Sequence, residues 1–319
     1  MGARRACAPM VAGALLIVYV LWGSTYLGIR VAIETVPPML MGAFRFLVAG
    51  GALYLATRWT GGAGSRPTRR QWLAALVAGG LMLGGGNGGV IWAEQHLPSG
   101  LVALIVALVP LWMTLIAHFT GSERLSWTVM AGVILGLAGV AILAAPSLGA
   151  PGDALAFAVV ICGSMAWAAG SVFASRANMP RRPLVGVAMQ MLAGAAVLLV
   201  VATAGGELGR VHLDRVSGRS IAALGYLIVF GSLIAFSAYA WLLRNAKPSL
   251  VSTYAFVNPA IALVLGWLVL GERITAQTLA GGGVILVAVA LIVSGRSLRV
   301  ARPVAPHLAS PRGRGEEAA

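Results

Sequence analysis

The sequence predicts an all-α polytopic membrane protein in which ten transmembrane helices form two inverted five-helix repeats. Three observations predict this fold class: the composition, the number of long uncharged windows, and a long sequence repeat. The chain of 319 residues is 59% hydrophobic and only 10% charged, whereas roughly a quarter of the residues in an ordinary soluble domain carry a charge. This composition leaves very little chain for a domain that folds in water.

Nine windows of the chain contain no Asp, Glu, Lys or Arg, and each is long enough to cross a bilayer, for which about 20 apolar residues suffice. A tenth apolar window, Pro37–Thr57, is interrupted only by Arg45. We therefore expect ten membrane-spanning helices. The nine uncharged windows are Ala6–Ile29, Gln71–Ala93, Leu97–Ser122, Leu125–Gly152, Ala154–Ser175, Pro183–Gly206, Ser220–Leu243, Pro248–Gly271 and Ile274–Gly295.

The repeat joins Pro98–Leu143 to Pro248–Ile292. Both stretches begin with a proline, carry a second proline inside a helix (Pro110 and Pro259), turn at Gly-x-Glu-Arg or Gly-Glu-Arg, and continue into an apolar helix with glycines. A repeat of this length defines architecture before any short motif does. We also expect each turn to cap the helix that follows it, through a glutamate and a hydroxyl residue: Glu123 with Ser126, and Glu272 with Thr275.

The expected organisation is a cytoplasmic tail at 1–9, a first repeat at 10–145, a second at 153–295, and a disordered cytoplasmic tail at 296–319. Each repeat crosses the membrane five times, which is an odd number. The second repeat therefore enters from the opposite side and runs antiparallel to the first. Inverted repeats of this kind are typical of transporters, whose substrate sites lie at the repeat interface and open alternately to either side.

The net charge of +14 would suggest an anionic partner such as nucleic acid in a soluble protein. In a membrane protein it is explained by the bias of Lys and Arg toward cytoplasmic loops. With the N-terminus inside, most of the basic residues fall in cytoplasmic segments, so we expect both termini in the cytoplasm and no nucleic-acid partner. The basic residues of the opposite loops are Arg30, Arg210, Arg215, Arg219 and Arg273.

Candidate substrate-binding residues are the polar and aromatic residues within the apolar windows. Arg45 is the sharpest of them, because an intramembrane charge is costly and usually faces a partner or a water-filled cavity. Two interpretations of Arg45 stay open: contact with a substrate, or a fixed ion pair between helices. The other candidates are Trp22, Ser24, Thr25, Tyr26, Asn87, Trp92, Glu94, Trp167, Tyr254 and Asn258.

Roles can be assigned to some candidates as hypotheses. Trp22, Trp167 and Tyr254 would form aromatic walls, Arg45 and Asn87 would bind a carboxylate or another polar group, and Glu94 would stand at the outer mouth. The seven glycines between Gly79 and Gly89 indicate either close helix packing or a partly unwound segment that borders a cavity. Proline at position 110 predicts a bend in the fourth span.

Other classes of protein fit the sequence less well. A membrane enzyme needs a cluster of catalytic acids, histidines or cysteines, whereas the four histidines and nine acidic residues are scattered along the chain. The two cysteines, Cys7 and Cys162, suggest neither a disulfide nor a metal site, and no Walker A pattern for ATP hydrolysis occurs. We expect no enzyme activity, cofactor or metal. The alternative is a membrane-embedded enzyme or flippase that acts on a lipid-linked substrate.

Three stretches and the two Glu-Arg turns resemble the EamA-type family of the drug/metabolite transporter superfamily, and the resemblance extends over roughly residues 10–295. It implies an inner-membrane exporter or permease for amino acids, metabolites or small drugs, with a central cavity formed by both repeats and often with ion-coupled, secondary-active transport. Expected partners are a small-molecule substrate, the lipid bilayer and a coupling proton or other ion, and a homodimer stays open. The three stretches are Trp22–Gly50, Ala93–Trp112 and Val257–Glu272.

Overall fold

The computed structural model describes residues 8–60, 66–120, 127–145, 151–246, 248–251 and 253–300, and within these residues the chain forms helices and turns but no strand. Most of the two predicted tails lies outside the described residues, as do Glu123 and Ser126 of the first turn. The last helix continues to Val300, a few residues beyond the predicted start of the C-terminal tail. No proline interrupts the chain before Pro303, so the helix meets no breaker at position 296.

Ten helical spans are present in the described part of the chain. Nine of them are long and apolar enough to cross a membrane, and the ninth span in sequence, α9, is shorter because a separate helical turn, Pro248–Val251, precedes it. The spans are α1 (Ala8–Ala32), α2 (Pro38–Trp59), α3 (Arg69–Ala93), α4 (Ser99–Phe119), α5 (Trp127–Ala144), α6 (Pro151–Arg176), α7 (Pro183–Ala204), α8 (Gly218–Tyr226, Leu227–Ile234 and Ala235–Asn245), α9 (Tyr254–Leu270) and α10 (Ala276–Val300).

Equivalent helices of the two repeats pack against each other: α2 against α7, α4 against α9, and α5 against α10. The first helix of each repeat packs on the equivalent pair of helices in the other repeat: α1 packs on α8 and α9, and α6 packs on α3 and α4. Glu207, beyond the end of α7, contacts the start of α2, and Glu272, beyond the end of α9, contacts the start of α4. Equivalent helices therefore run in opposite directions, and the predicted fold class of two inverted repeats is confirmed.

The acidic residues mark one end of the bundle. In the described part of the chain, every Asp and Glu lies at this end, either just after the last residue of a helix or at or just before the first residue of the next one. We call this end of the bundle the acidic end. Two contacts that join the repeats, the Glu207 and Glu272 contacts above, lie at this end. So does the ion pair of Arg219 with Glu34, at 3.8 Å.

Two π-helical segments occur at equivalent places in the repeats, Gly80–Asn87 in α3 and Leu227–Ile234 in α8. π-helical turns are rare and frequently found at functional sites. Only the segment in α3 is rich in glycine, so composition alone did not mark its counterpart in α8.

The glycines of α3 permit close packing, as the first of the two interpretations predicts. A Cβ atom at Gly79 would overlap the carbonyl oxygen of Gln190 on α7, and one at Gly84 would lie 2.7 Å from Val197. The segment is not unwound, because it keeps helical hydrogen bonds in π form. It does border the central cavity at its end, where Gly86 and Asn87 lie.

The fourth span is interrupted where proline predicts it. The first part of α4 ends at Val106, and the helix resumes at Val109 with Pro110 as its second residue. Proline has no backbone N–H and is well tolerated in the first turn of a helix, so a restart costs less here than an unbroken helix. The predicted bend is confirmed. The equivalent Pro259 lies inside the continuous helix α9.

Candidate functional site

A cavity lies between the two repeats near the middle of the bundle. Helices α1, α3 and α4 of the first repeat and α6, α8 and α9 of the second line it, together with Arg45 of α2. Two irregular helical segments border the cavity: the break in α4, through Val106, Ala107, Val109 and Pro110, and the end of the π segment of α3. A ligand in this cavity would touch elements of both repeats.

Eight of the eleven predicted site residues line this cavity. They come from five different helices, and the fold brings them together across long separations in sequence. The eight are Trp22, Thr25, Tyr26, Arg45, Asn87, Trp167, Tyr254 and Asn258.

Three predicted residues, Ser24, Trp92 and Glu94, do not line the cavity. The Ser24 hydroxyl donates to the carbonyl oxygen of Val20 (2.6 Å) and shares a hydrogen bond with the Tyr226 hydroxyl (2.6 Å). The ring of Trp92 packs on His96 with 4.8 Å between centroids. Glu94 is fully buried one residue beyond α3, at the acidic end, rather than standing at an open mouth.

Arg45 brings a guanidinium group into the cavity wall. The residue is 2% exposed, its Nε donates to the hydroxyl of Ser232 on α8 (2.9 Å), and its guanidinium carbon lies 4.8 Å from the centroid of the Phe46 ring. Its Nη1 has no hydrogen-bond partner among the described residues. In the described part of the chain, Arg45 bonds to the neutral Ser232 and forms no ion pair. The second interpretation of Arg45, a fixed ion pair between helices, is therefore not supported.

An aromatic cluster around Trp22 forms part of the cavity wall. The Trp22 ring lies 5.1 Å from Phe236, 4.9 Å from Tyr239 and 5.3 Å from Tyr254, measured between centroids. These spacings fall in the range of favourable edge-to-face and tilted contacts. Trp22 is therefore held by rings from α8 and α9, which belong to the other repeat.

Trp167 stands at the equivalent place on α6. The backbone of Gly86 approaches it so closely that a Cβ atom there would lie 3.0 Å from the Trp167 side chain. Ser164, one turn earlier, accepts a hydrogen bond from the Trp112 indole nitrogen (2.8 Å) and also faces the cavity. Each repeat thus supplies one tryptophan to the cavity from its first helix.

Sequence reasoning missed two residues that shape this site, Ser232 and Phe236 of α8. Both lie in or next to the π segment Leu227–Ile234. The signal that could have found them is the equivalence of α8 with α3, whose polar and glycine residues stand out in the sequence. An isolated serine in an apolar helix ordinarily bonds to its own backbone, so Ser232 carries no signal of its own.

The acidic end of the bundle is held by two carboxylates. Glu207 accepts hydrogen bonds from the backbone N–H groups of Met39 (3.2 Å) and Leu40 (2.9 Å) at the start of α2. Glu272 accepts from the backbone N–H of Ser99 (2.9 Å), the Ser99 hydroxyl (3.0 Å) and the N–H of Gly100 (3.3 Å) at the start of α4. Carboxylates are stabilised at helix N-termini by free N–H groups and by the helix dipole.

The predicted role of Glu272 as a cap of the following helix is therefore wrong. Its carboxylate caps α4 of the first repeat instead, because the short turn after α9 places it against Ser99. Thr275, in contrast, does cap its own helix, since its hydroxyl accepts from the backbone N–H of Thr278 (3.1 Å).

The fold and cavity define a polytopic helical membrane protein built from two inverted repeats around a central site, the architecture typical of transporters. Residues 10–145 and residues 154–294 each match the EamA-like transporter family. The chain belongs to this family. The resemblance stated from the sequence is thereby confirmed.

Individual relatives agree with this assignment. The "Uncharacterized inner membrane transporter YedA" of Escherichia coli (strain K12) is 40% identical over 297 residues, which are 92% of this chain and 93% of that protein. The "Probable amino-acid metabolite efflux pump" of Salmonella typhimurium is 25% identical over 89% of this chain and 95% of that protein. A solved structure described as "Crystal structure of protein" has the same fold, with a TM-score of 0.63 and 24% identity over 93% of this chain and 100% of that one.

Proposed function

We propose that this protein is a secondary-active transporter of the inner membrane that exports a small metabolite bearing a carboxylate, such as an amino acid, by alternating access between its two repeats. The observation that carries the proposal is the Arg45 guanidinium, which is buried in the wall of a cavity formed by both repeats and keeps one nitrogen without a hydrogen-bond partner among the described residues. A charge in such a place is costly unless a ligand or water meets it. A planar guanidinium matches a carboxylate in geometry and charge.

The rest of the cavity supports a substrate with an apolar or aromatic part beside its carboxylate. Trp22, Trp167 and Tyr254 provide flat apolar surfaces, and Asn87 adds an amide within the same lining. Pockets that are mostly apolar, with a few convergent polar groups, are the usual form of small-molecule sites. The relative named as an amino-acid metabolite efflux pump supports amino acids as the class and export as the direction.

Alternating access is supported by where the repeats touch. The carboxylates of Glu207 and Glu272 tie second-repeat turns to first-repeat helices at the acidic end. By the distribution of basic residues, this end would face away from the cytoplasm, with both termini inside. Opening the cavity toward the acidic end would break these contacts, and closing it again would restore them. The described conformation would then be one in which this end is closed.

A transport assay in liposomes tests the proposal. Purified protein would be reconstituted and supplied with labelled amino acids and cationic dyes, with and without a pH gradient, beside protein-free liposomes. Comparison of extracellular metabolites between deletion and overexpression strains would select the compounds to include. We expect at least one carboxylate-bearing compound to move above the protein-free background and to respond to the gradient. If no compound does so, the proposed function is wrong.

A further inference from the structure

Glu94 holds a carboxyl group that the transport cycle described above does not use. Its side chain is 0% exposed, and neither carboxylate oxygen has a hydrogen-bond partner among the described residues. Burial of an ionised carboxylate without hydrogen bonds costs far more than burial of the neutral acid, and a group in that position ordinarily takes up a proton instead. The geometry therefore favours a neutral carboxyl group at Glu94.

The cations near Glu94 make their hydrogen bonds elsewhere. Arg30 donates through Nη1 to the main-chain oxygen of Glu94 and not to its carboxyl group. Arg45 donates through Nε to Ser232. Among the described residues, the charged and titratable groups that interact electrostatically with the Glu94 carboxyl are Tyr26 and Arg30 of α1, Arg45 of α2, and Glu272 beyond α9.

These groups act on Glu94 in opposite directions. Arg30 and Arg45 favour the ionised form, whereas the carboxylate of Glu272, which is held at the start of α4, opposes it. His96 lies on the same connection as Glu94, but its side chain is exposed and packs on Trp92. Glu272 has the largest effect of these charges, followed by Arg30 and then Arg45. Of the two arginines, Arg45 is the one that lines the cavity.

We propose that Glu94 is a proton-binding site and that the charge of Arg45 contributes to how tightly the proton is held. When the O–H bond of Glu94 breaks and the proton passes to water, the carboxylate that remains is attracted to Arg45. A substrate carboxylate on Arg45 neutralises this attraction and so favours the protonated form of Glu94. Binding linkage is reciprocal, so a proton on Glu94 also strengthens binding of the anionic substrate, and the proton would leave the cell together with the substrate. This last step rests on the proposed function, while the proton site itself does not.

Infrared spectroscopy of the protein in liposomes tests the proton site without any substrate. A protonated carboxyl group gives a carbonyl-stretching band that a carboxylate lacks. At neutral pH we expect the wild-type protein to show such a band, Glu94→Gln to lose it, and Glu34→Gln to retain it, because Glu34 is an exposed partner of Arg219. Glu94→Asp serves if Glu94→Gln does not fold, since it should shift the band rather than abolish it.

The same measurement tests whether the charge of Arg45 affects the proton on Glu94. The band of Glu94 is followed while the pH is raised, in the wild-type protein, in Arg45→Gln and in Arg219→Gln. Removal of a nearby cation disfavours the carboxylate, so Arg45→Gln should move the loss of the band to a higher pH. Arg219→Gln should leave it in place, because Arg219 is exposed and pairs with Glu34.

The outcomes separate the two claims. A band that persists in folded Glu94→Gln, or is not shifted in Glu94→Asp, would overturn the proton site. A band that disappears at the same pH in Arg45→Gln and in the wild-type protein would overturn the claim that the charge of Arg45 affects the proton on Glu94. If both infrared results hold and no compound is transported in liposomes, the proposed function fails while the proton site stands.

Discussion

The Glu272 carboxylate lies on the N-terminal end of α4, where it accepts hydrogen bonds from both the backbone N–H and the hydroxyl of Ser99. Glu272 follows α9, and Ser99 begins α4, so this contact joins two helices that are equivalent in the two repeats. The packing is close, because Gly266 of α9 leaves no room for a Cβ atom beside the Ser99 hydroxyl and the Glu272 carboxylate. The contact ties the repeats together at the acidic end.

Glu272→Gln should weaken this junction. The amide keeps one oxygen as an acceptor but loses the negative charge that the helix N-terminus favours, and a charged hydrogen bond contributes about 1.5–3 kcal/mol. We expect a lower midpoint of thermal unfolding in detergent. Glu34→Gln is the matched control and should change little, because an exposed ion pair contributes about 0–1 kcal/mol. Equal midpoints for Glu272→Gln and Glu34→Gln would show that the Glu272 contact does not stabilise the bundle.

Gly79→Ala should disrupt the packing of α3 on α7. The added methyl group would overlap the backbone oxygen of Gln190, which cannot rotate away. Overpacking of this kind typically costs about 1–3 kcal/mol. The matched control is Gly51→Ala in α2, where no heavy atom would lie within 4 Å of the new methyl group.

The readout for this glycine pair is the fraction of monodisperse protein that survives heating, measured by size-exclusion chromatography. Gly51→Ala should be neutral or slightly stabilising, because alanine favours helix over glycine by about 1 kcal/mol. A Gly79→Ala protein as heat-resistant as Gly51→Ala would contradict the packing described for α3.

Trp22→Ala should impair transport through loss of the aromatic wall. Trp22 contacts three rings of the second repeat, and each aromatic pair contributes about 0.5–1.5 kcal/mol beyond area burial. We expect a higher half-saturation concentration for any transported compound and partial rescue in Trp22→Phe. Trp59→Ala is the control, because Trp59 ends α2 and is 84% exposed. If Trp22→Ala transports with wild-type half-saturation at equal expression, Trp22 has no part in substrate binding.

Composition and the repeat predicted most of the fold. Long uncharged windows identify membrane spans without any knowledge of the helices that pack against them. An odd number of spans in each repeat then requires the second repeat to be inverted. The sequence also predicted the break in α4 from Pro110, because the effect of proline on a helix is local. What depends on tertiary contact was not predictable: the cap that Glu272 provides to α4 joins positions far apart in the chain.

The cavity shows the same division between local and tertiary information. Arg45 and Asn87 were predicted because a polar residue in an apolar window stands out against its neighbours. The open mouth predicted for Glu94 follows from its place at the outer end of α3, whereas its complete burial depends on packing that the sequence does not reveal. Ser232 was missed because its importance comes only from the Arg45 side chain that reaches it across the repeat interface.

The central claim is that Arg45 binds the carboxylate of a transported substrate, and its most direct test is a matched comparison in liposomes. Once the panel has identified a transported carboxylate, uptake of that compound and of its primary amide would be measured for the wild-type protein, Arg45→Lys and Arg45→Ala. The wild-type protein should prefer the carboxylate by about tenfold or more, since hydrogen bonds to a charged group contribute about 1.5–3 kcal/mol. Arg45→Lys should keep part of this preference and Arg45→Ala none. A fully inserted Arg45→Ala protein that still prefers the carboxylate as strongly as the wild-type protein would contradict the claim.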